Sequence, residues 1–422
     1  MKYDLLYGRG MRSVTVPDDA NVTVVRKPEM PRLPDPQAAV HEALESGGLR
    51  KRGRDARTAC IAICDITRPV PNHLFLKPVV DELIAAGMAL DAITVLVATG
   101  LHRPNLGKEL EELIGDSWVL DHVRIVNHDA RDDDEHVDLG RTSTRGTVVK
   151  IDRRFVDADL RIATGLVEPH FMAGYSGGRK VIAPGLAHAD TIRTFHNAKF
   201  MGDPAAANCN LDQNPLHEEQ LQIVEMIGGA HAINTVIDED RNLSLINFGE
   251  IISSHSAAVE FVSGFCRVQV PGRFETVVTS AAGHPLDKTY YQTVKGMVGA
   301  IDILQPGGNL IVLSECGEGV GSPEFAAAQQ RLVRQGVDDF LASITRQPLA
   351  AIDEWQTQMQ TKAMAAGTIH LHSSLSRQET IANGVRHVDD VDATIAACVA
   401  GSPGRSIAVI PEGPYVIPYS SE

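Results

Sequence analysis

Short apolar runs alternate with amphipathic segments from Thr58 to Asp129. The apolar runs read TACIAICD, AITVLVATG and VRIVNHD, and the segments between them read LFLKPVVDELIAAG and GKELEELIG. Runs of this length are typical of buried strands, whereas the segments between them have the periodicity of helices. Strands that alternate with helices form a parallel sheet, because each parallel connection needs a crossover over a face of the sheet. The pattern therefore predicts an α/β fold.

A second series of the same kind follows a pause in the pattern at CRVQVPGR, residues 266–273. It contains the runs ETVVTSAAG, GGNLIVLSECGEGVG and SIAVIP, with helical segments between them. A chain of 422 residues is too long for one ordinary hydrophobic core. We therefore predict two Rossmann-like α/β domains, residues 1–270 and 271–404, with mostly parallel sheets that face each other across a cofactor and substrate cleft. An open alternative is that the last residues, about 405–422, return to the first domain.

The charge balance excludes some classes of partner. The chain carries 39 Lys and Arg against 54 Asp and Glu, a formal net charge of −15. Non-specific binding to nucleic acid or to an anionic membrane needs a basic surface, so neither is expected, and no apolar run is long enough to span a membrane. The N-terminal residues lack the features of an export signal, so we expect a cytoplasmic protein whose six cysteines are reduced.

Polar clusters follow three of the predicted strands at the point where each strand ends. They are Asp65 to Pro69, Thr99 to Pro104 and Asn127 to Asp129. In open α/β sheets ligands bind at the carboxyl ends of the strands. The three clusters therefore predict one shared rim.

The segment EPHFMAGYSGGRKVIAPG, residues 168–185, admits several interpretations. Its G-x-S-x-G pattern around Ser176 resembles a hydrolase nucleophile elbow, but no strand runs directly into the serine. A Walker phosphate loop is disfavoured because Val181 follows Lys180. Two further interpretations are a flexible turn and a binding loop for a lysine-bound cofactor. The second is possible because the glycines let the backbone approach a bound group and a desolvated lysine is nucleophilic. The alternative for Arg179 is an ordinary surface charge.

Three of the 16 histidines stand out by their position. His102 ends a predicted strand, His170 precedes the glycine-rich loop, and His196 lies in a helix predicted from ADTIRTFHNAKF. His128 is expected to cap or pack. Six further histidines have no such position, so no functional role is predicted for them: His41, His73, His122, His217, His255 and His387.

Arg68 and a later helix supply candidates for holding a carboxylate. An arginine at a strand end can clamp a carboxylate with two parallel hydrogen bonds. In the predicted helix through YYQTVK, the spacing places Tyr291, Gln292 and Lys295 on one face. The alternative, an ordinary amphipathic helix with a polar outer face, fits the spacing equally well.

Taken together, these motifs resemble the nickel-dependent lactate racemase family, whose members bind a nickel pincer nucleotide. The resemblance is carried by DITRPVP (residues 65–71), TGLHRP (99–104), the whole 168–185 segment, FHN around His196, and YYQTVK (290–295). It spans both predicted domains, and the 168–185 motif is long enough to be specific.

The resemblance implies a role for each matching residue. Lys180 matches the lysine that tethers the cofactor, and His196 matches the protein ligand to nickel. His102 and His170 match the paired acid/base histidines. Asp65, Thr67, Gly177 and Gly178 are expected beside the cofactor, and the groups expected to hold the substrate are Arg68, Tyr291, Gln292 and Lys295. Trp355 corresponds to an aromatic side chain that closes over the site.

The implied activity is racemisation or epimerisation of a 2-hydroxy acid, either lactate or a larger malate-like or sugar acid. Removing the α-proton of such an acid needs a very strong base, because the adjacent carboxylate is already negative. Moving a hydride to the cofactor avoids this and passes through a 2-keto acid, with histidines exchanging the hydroxyl proton. The implied partners are the small-molecule substrate and the enzymes that make the cofactor.

Two other functions remain open from the residues alone. One is an NAD-dependent 2-hydroxyacid oxidoreductase, which the lack of a G-x-G-x-x-G after the first strand disfavours. The other is a non-enzymatic protein that binds a nucleotide or carries a cofactor.

Overall fold

A computed structural model describes residues 1–420 as a mixed α/β protein. Its strands are β1 (Lys2–Tyr7), β2 (Gly10–Thr15), β3 (Asn21–Val24), β4 (Ala59–Cys64), β5 (Ile93–Ala98), β6 (Arg124–Asn127), β7 (His136–Arg141), β8 (Val148–Asp152), β9 (Leu160–Leu166), β10 (Pro169–His170), β11 (Gly174–Tyr175), β12 (His231–Ile237), β13 (Leu243–Glu250), β14 (Arg267–Val270), β15 (Phe274–Ser280), β16 (Leu304–Leu313), β17 (Gly367–His372), β18 (Arg386–His387), β19 (Ser406–Ile410) and β20 (Ile417–Ser420).

The helices alternate with these strands along most of the chain. They are α1 (Pro36–Ser46), α2 (Leu49–Arg54), α3 (Asn72–Ala85), α4 (Lys108–Ile114), α5 (Ser117–His122), α6 (Arg153–Val156), α7 (Arg179–Ile182), α8 (Ala189–Phe195), α9 (Ala198–Gly202), α10 (Pro215–Met226), α11 (Ile251–Cys266), α12 (Tyr290–Ala300), α13 (Pro323–Gln335), α14 (Val337–Thr345), α15 (Glu354–Ala366), α16 (Arg377–Ala382) and α17 (Val391–Ala400).

The chain divides into two compact units. The central unit contains residues 29–195 and 210–264, and the terminal unit contains residues 1–28, residues 196–209 and the chain from Phe265 onward. Each unit is built on one six-stranded sheet. The α/β class and the mostly parallel sheets predicted from the sequence are confirmed.

The sheet of the central unit has the order β13-β12-β9-β4-β5-β6. Its strands are parallel except for the antiparallel β12 and β13 pair. The middle strand β4 is buried along almost its whole length, which explains its unbroken apolar sequence, because helices cover both faces of a parallel sheet. Its core includes Ile61, Phe75, Val95 and Ile162.

The sheet of the terminal unit has the order β18-β17-β16-β15-β19-β3 and is parallel throughout. Here the structure groups the chain differently from the contiguous division predicted from the sequence. Residues 1–28 belong to this unit because β3 pairs with β19 and because Leu5 and Val14 of the β1–β2 hairpin pack against Val278. The segment after residue 405 lies in the same unit, since β19 is inserted between β15 and β3.

The segment around His196 also differs from the prediction. The sequence predicts one helix through residues 189–200, but α8 ends at Phe195 and α9 begins at Ala198. The side chain of Asn197 accepts hydrogen bonds from the backbone N–H groups of Lys199 and Phe200, which starts a new helix. His196 therefore lies in the turn between two helices.

Candidate functional site

A carboxylate and a histidine meet at the ends of β4 and β5 in the central unit. Nδ1 of His102 lies 2.6 Å from Oδ2 of Asp65, and the Asp65 side chain is almost fully buried, whereas that of His102 is half-exposed. Burial alone would raise the pKa of Asp65, but the hydrogen bond and charge of His102, with help from Thr67 and Arg68, hold that pKa below its usual value. Asp65 is thus an ionised acceptor for Nδ1–H, which leaves the lone pair of the His102 ring on Nε2.

The rim predicted from three strand ends is present in the central unit. Asn105 connects the loops, because its Oδ1 accepts from the N–H of Ile66 (3.2 Å) and its own N–H donates to Oδ1 of Asn127 (2.9 Å). Asn127 Nδ2 donates back to the Asn105 carbonyl at 3.1 Å. Residues just after β4 and β5 are therefore held to the last residue of β6, and Asn105 is a positioning residue that the sequence analysis missed.

Arg68 pairs with a residue that the sequence did not single out. Nη1 of Arg68 lies 2.8 Å from Oε1 of Glu168, and both side chains are mostly buried. Thr67, next to Arg68, donates its hydroxyl to Oδ1 of Asp65 at 2.5 Å. The partners in the Arg68–Glu168 pair are 100 residues apart in the chain, so no local spacing could have revealed it.

His170 is held by a tight turn in the 168–185 segment. Its Nδ1 lies 3.4 Å from the backbone nitrogen of Met172 and 3.2 Å from that of Ala173, and both N–H groups point at the ring nitrogen. Strands β10 and β11 pair across this turn, with His170 opposite Gly174. The ring is buried and its Nδ1 is an acceptor.

Ser176 has a structural role in the same segment. Its hydroxyl donates to the Leu166 carbonyl at 2.7 Å and accepts from the N–H of Glu168 at 3.1 Å. Gly177 and Gly178 both have positive φ, and a Cβ at either position would lie 2.7 Å from protein atoms, namely Val167 and the His255 ring. Glycine is therefore needed at these two positions for packing inside the loop.

Lys180 lies half-buried at the start of α7, directly after this loop. Burial lowers the pKa of Lys180 to about 7, with further lowering by the positive charges of Arg68 and Arg179. The thiol of Cys64 and the carboxylate of Glu168 act in the opposite direction but are weaker. No carboxylate in residues 1–420 lies within ion-pair distance of its amine. At neutral pH a large fraction of this amine is therefore uncharged and nucleophilic.

The lowered pKa of Lys180 makes a prediction about stability. Between pH 7 and about 10.5 the unfolded chain binds a proton at this lysine that the folded chain does not, so burial of the charge destabilises the fold mainly at low pH. Lys180→Met should therefore raise the free energy of unfolding at pH 6. The advantage over the unmodified chain should shrink by roughly 1.4 kcal/mol per pH unit above pH 7. Urea titrations of both proteins across this pH range measure the difference, and a constant difference would contradict the prediction.

Arg179 is fully buried, which corrects its interpretation as a surface charge. Its guanidinium donates to the carbonyls of Ala173 (2.9 Å) and Tyr175 (3.1 Å) and to Nδ1 of His217 (2.8 Å), and Nη1 lies 2.9 Å from Nε2 of His255. These groups are neutral. Burial lowers the pKa of Arg179 to about 9 and that of His217 to about 3, the latter also because of the guanidinium charge.

His217 and His255 had no functional setting in the sequence, yet both side chains contact the Arg179 guanidinium. We call this group (Arg179, His217 and His255) the arginine cage. Burial and the Arg179 charge also keep the pKa of His255 well below its usual value. The arginine cage therefore fixes the backbone of the 173–179 loop and places a positive charge next to Lys180.

Truncating the arginine cage should be strongly destabilising. Arg179→Ala would leave two buried carbonyls and His217 without their donor, so we expect a loss of about 3–5 kcal/mol in the free energy of unfolding. Arg50→Ala is the matched control, because Arg50 makes a half-exposed ion pair with Glu82 and should contribute about 1 kcal/mol or less. Urea denaturation of the two variants measures both losses, and equal losses would refute the structural role of the cage.

A second set of the predicted residues lies in the terminal unit. The rings of His196 and Trp355 pack with centroids 5.1 Å apart, and Trp355 Nε1 donates to the Tyr291 hydroxyl at 3.3 Å. Tyr291, Gln292 and Lys295 are the partly exposed residues on the first turns of α12, whose other positions are almost all buried. The three positions share one helix face, which fits a substrate-holding face and an ordinary amphipathic helix equally well. Oε1 of Gln292 is buried and has no hydrogen-bond partner among the described residues.

Comparison with known proteins identifies the family of the chain. Two family models match the chain: the lactate racemase N-terminal domain over residues 7–208 and the lactate racemase C-terminal domain over residues 271–417. The chain belongs to the lactate racemase family. This confirms the resemblance drawn from the sequence motifs.

Individual relatives agree with the family models. A lactate racemase from Thermoanaerobacterium thermosaccharolyticum is 30% identical over 328 residues, 76% of each chain, and one from Lactiplantibacillus plantarum is 33% identical over 294 residues, 68% of each chain. The structure of the lactate racemase apoprotein from T. thermosaccharolyticum matches with a TM-score of 0.91 at 27% identity and covers 99% of this chain and 100% of that one. A protein from Thermotoga maritima shares the fold, with a TM-score of 0.71 at 17% identity.

No cluster of three or more His, Cys, Asp or Glu side chains suited to a metal ion occurs in residues 1–420. Within the same residues, no helix combines the length and apolar character that crossing a membrane requires.

Proposed function

We propose that this member of the lactate racemase family interconverts the two hands of a 2-hydroxy acid. Lactate is the first candidate substrate, because two relatives are named lactate racemase, and larger malate-like or sugar acids are further candidates. The observation that carries the proposal is the Asp65–His102 pair at 2.6 Å, in the same unit as a mostly buried arginine–glutamate pair and a lysine of lowered pKa. Together these groups supply a base, a carboxylate-binding cation and a nucleophilic amine.

The described residues fit a nickel pincer nucleotide that is bound covalently. Lys180 offers a partly uncharged amine, which a bond to a thiocarboxyl carbon requires. His196 would bind the nickel, since imidazole suits a tetragonal nickel site whose other donors come with the nucleotide. The buried, unpartnered Oε1 of Gln292 supports a polar ligand at α12. When bound, the nucleotide supplies the acceptor for the hydride that leaves the substrate α-carbon.

The remaining steps belong to side chains of this protein. Nε2 of His102 takes the hydroxyl proton of the substrate, and the Asp65 carboxylate stabilises the imidazolium that results. His170 serves the second orientation of the hydroxyl. A guanidinium has five N–H donors, so Arg68 can hold Glu168 and a substrate carboxylate together, and Lys295 adds a second positive charge. Tyr291 and Gln292 would contact the substrate from the same helix as Lys295.

A panel of single-enantiomer 2-hydroxy acids tests this function. The protein is produced together with the cofactor-making enzymes, and each acid is incubated with it and analysed for the other enantiomer or epimer. Racemisation of at least one acid, absent from protein made without those enzymes, is the expected result. Reduction of a 2-keto acid by free NADH would support the oxidoreductase instead. Cofactor binding without turnover of any acid would support a carrier.

A further inference from the structure

The two acid/base histidines have different hydrogen-bond partners at Nδ1. Nδ1 of His102 faces a carboxylate oxygen of Asp65, which can only accept a hydrogen bond when ionised. Nδ1 of His170 faces two backbone N–H groups, which can only donate. A neutral imidazole carries its proton on one nitrogen and its lone pair on the other, so these partners assign a tautomer to each ring.

We propose that the protein holds its two histidines in opposite tautomers before substrate binds, so that His102 is a base and His170 a hydrogen-bond donor. His102 carries its proton on Nδ1 and its lone pair on Nε2. His170 carries its lone pair on Nδ1 and its proton on Nε2. Asp65 is accordingly a positioning residue for His102, and the backbone of residues 172–173 has the same task for His170.

The assignment limits what each ring can do in the proposed racemisation, on which this part of the inference rests. His102 can accept a proton at Nε2 and become an imidazolium whose Nδ1–H stays bonded to Asp65. His170 cannot accept a proton at Nε2, which already has one, and losing that proton would leave an unfavourable imidazolate. It can donate a hydrogen bond to the substrate oxygen.

For His170 to act as an acid or base, its Nδ1 must take up a proton, so the N–H groups of Met172 and Ala173 must turn away. The two bonds are 3.4 and 3.2 Å long, compared with 2.6 Å for the His102–Asp65 contact, and are therefore the easier ones to give up. The enantiomer whose hydroxyl faces His102 can thus lose its hydroxyl proton in the resting protein. Forming the opposite enantiomer from the 2-keto acid needs His170 as an imidazolium that gives up its Nε2 proton, and starting from the opposite enantiomer needs a neutral ring with its proton on Nδ1. Both therefore require the 170–173 turn to change.

Long-range ¹H–¹⁵N NMR of the full-length, cofactor-free protein labelled with ¹⁵N-histidine tests the assignment, because protonated and unprotonated ring nitrogens have widely separated ¹⁵N shifts. His102→Gln and His170→Gln identify the two sets of signals by their loss. Two rings provide internal references for a protonated Nδ1, because each faces a backbone carbonyl: His122 (Trp118 O, 2.8 Å) and His136 (Asp132 O, 2.6 Å). His217, whose Nδ1 accepts from Arg179, provides the opposite reference.

At a pH where both rings are neutral, we expect an unprotonated Nε2 for His102 and an unprotonated Nδ1 for His170. In Asp65→Asn the His102 signals should move toward a mixture of tautomers while those of His170 stay unchanged. The same tautomer in both rings, or a protonated Nδ1 in His170, would overturn the proposal. The spectra need neither cofactor nor turnover, so the two tests are independent. If the rings show opposite tautomers but no 2-hydroxy acid is racemised, only the proposed function is rejected.

Discussion

Lys180→Ala is expected to abolish covalent cofactor loading and to lower racemase activity at least about a thousandfold, because the reacting group is no longer held beside the histidines. Lys180→Arg should fail equally, since it keeps a positive charge but its guanidinium, unlike the amine of lowered pKa, is a poor nucleophile. Protein is produced with the cofactor-making enzymes, and the mass of the peptide that carries residue 180 is measured together with activity.

Two controls define the result for Lys180. Lys77→Ala removes a surface lysine that pairs with Asp81 and should load and react normally. Ser176→Ala should keep most activity, because its hydroxyl binds only backbone groups at Leu166 and Glu168. An active Lys180→Ala protein together with an inactive Ser176→Ala protein would restore the hydrolase interpretation.

Asp65→Asn is expected to lower kcat by about 10²–10⁴-fold with little change in the fold. The amide is nearly the same shape as the carboxylate, but it is neutral and can also donate, so it neither fixes Nδ1–H of His102 nor stabilises the imidazolium. Burial opposes the charge of Asp65 and the hydrogen bond from His102 favours it. Removing that charge should therefore not destabilise the protein strongly.

Steady-state kinetics with both enantiomers and a urea titration check the prediction for Asp65→Asn. Asp81→Asn is the control, because Asp81 also accepts a charged hydrogen bond but lies on the surface, far from any predicted role. Unchanged kcat in Asp65→Asn would mean that His102 needs no carboxylate partner. A rise in KM at constant kcat would indicate that Asp65 binds the substrate and does not position His102.

Much of the fold was readable from the sequence because parallel strands, buried on both faces, appear as unbroken apolar runs. The β4 and β5 runs and the helix α3 between them are examples. The assignment of strands to sheets was not readable. The apolar pattern of β3 is the same whichever sheet it joins, and only its pairing with β19 places residues 1–28 in the terminal unit.

The family and the α/β class were readable from the residues alone, since contiguous motifs such as the 168–185 segment and the unbroken apolar runs carry them. The same motifs supply the proposed site residues. Only the tertiary structure decided which groups work on one another. The Arg68–Glu168 pair and the arginine cage around Arg179 join residues far apart in the chain. It also decided that His102 and His170, identical in the sequence, differ in their partners. The physical reason is that burial and hydrogen bonding, which set charge and tautomer, come from neighbours in space.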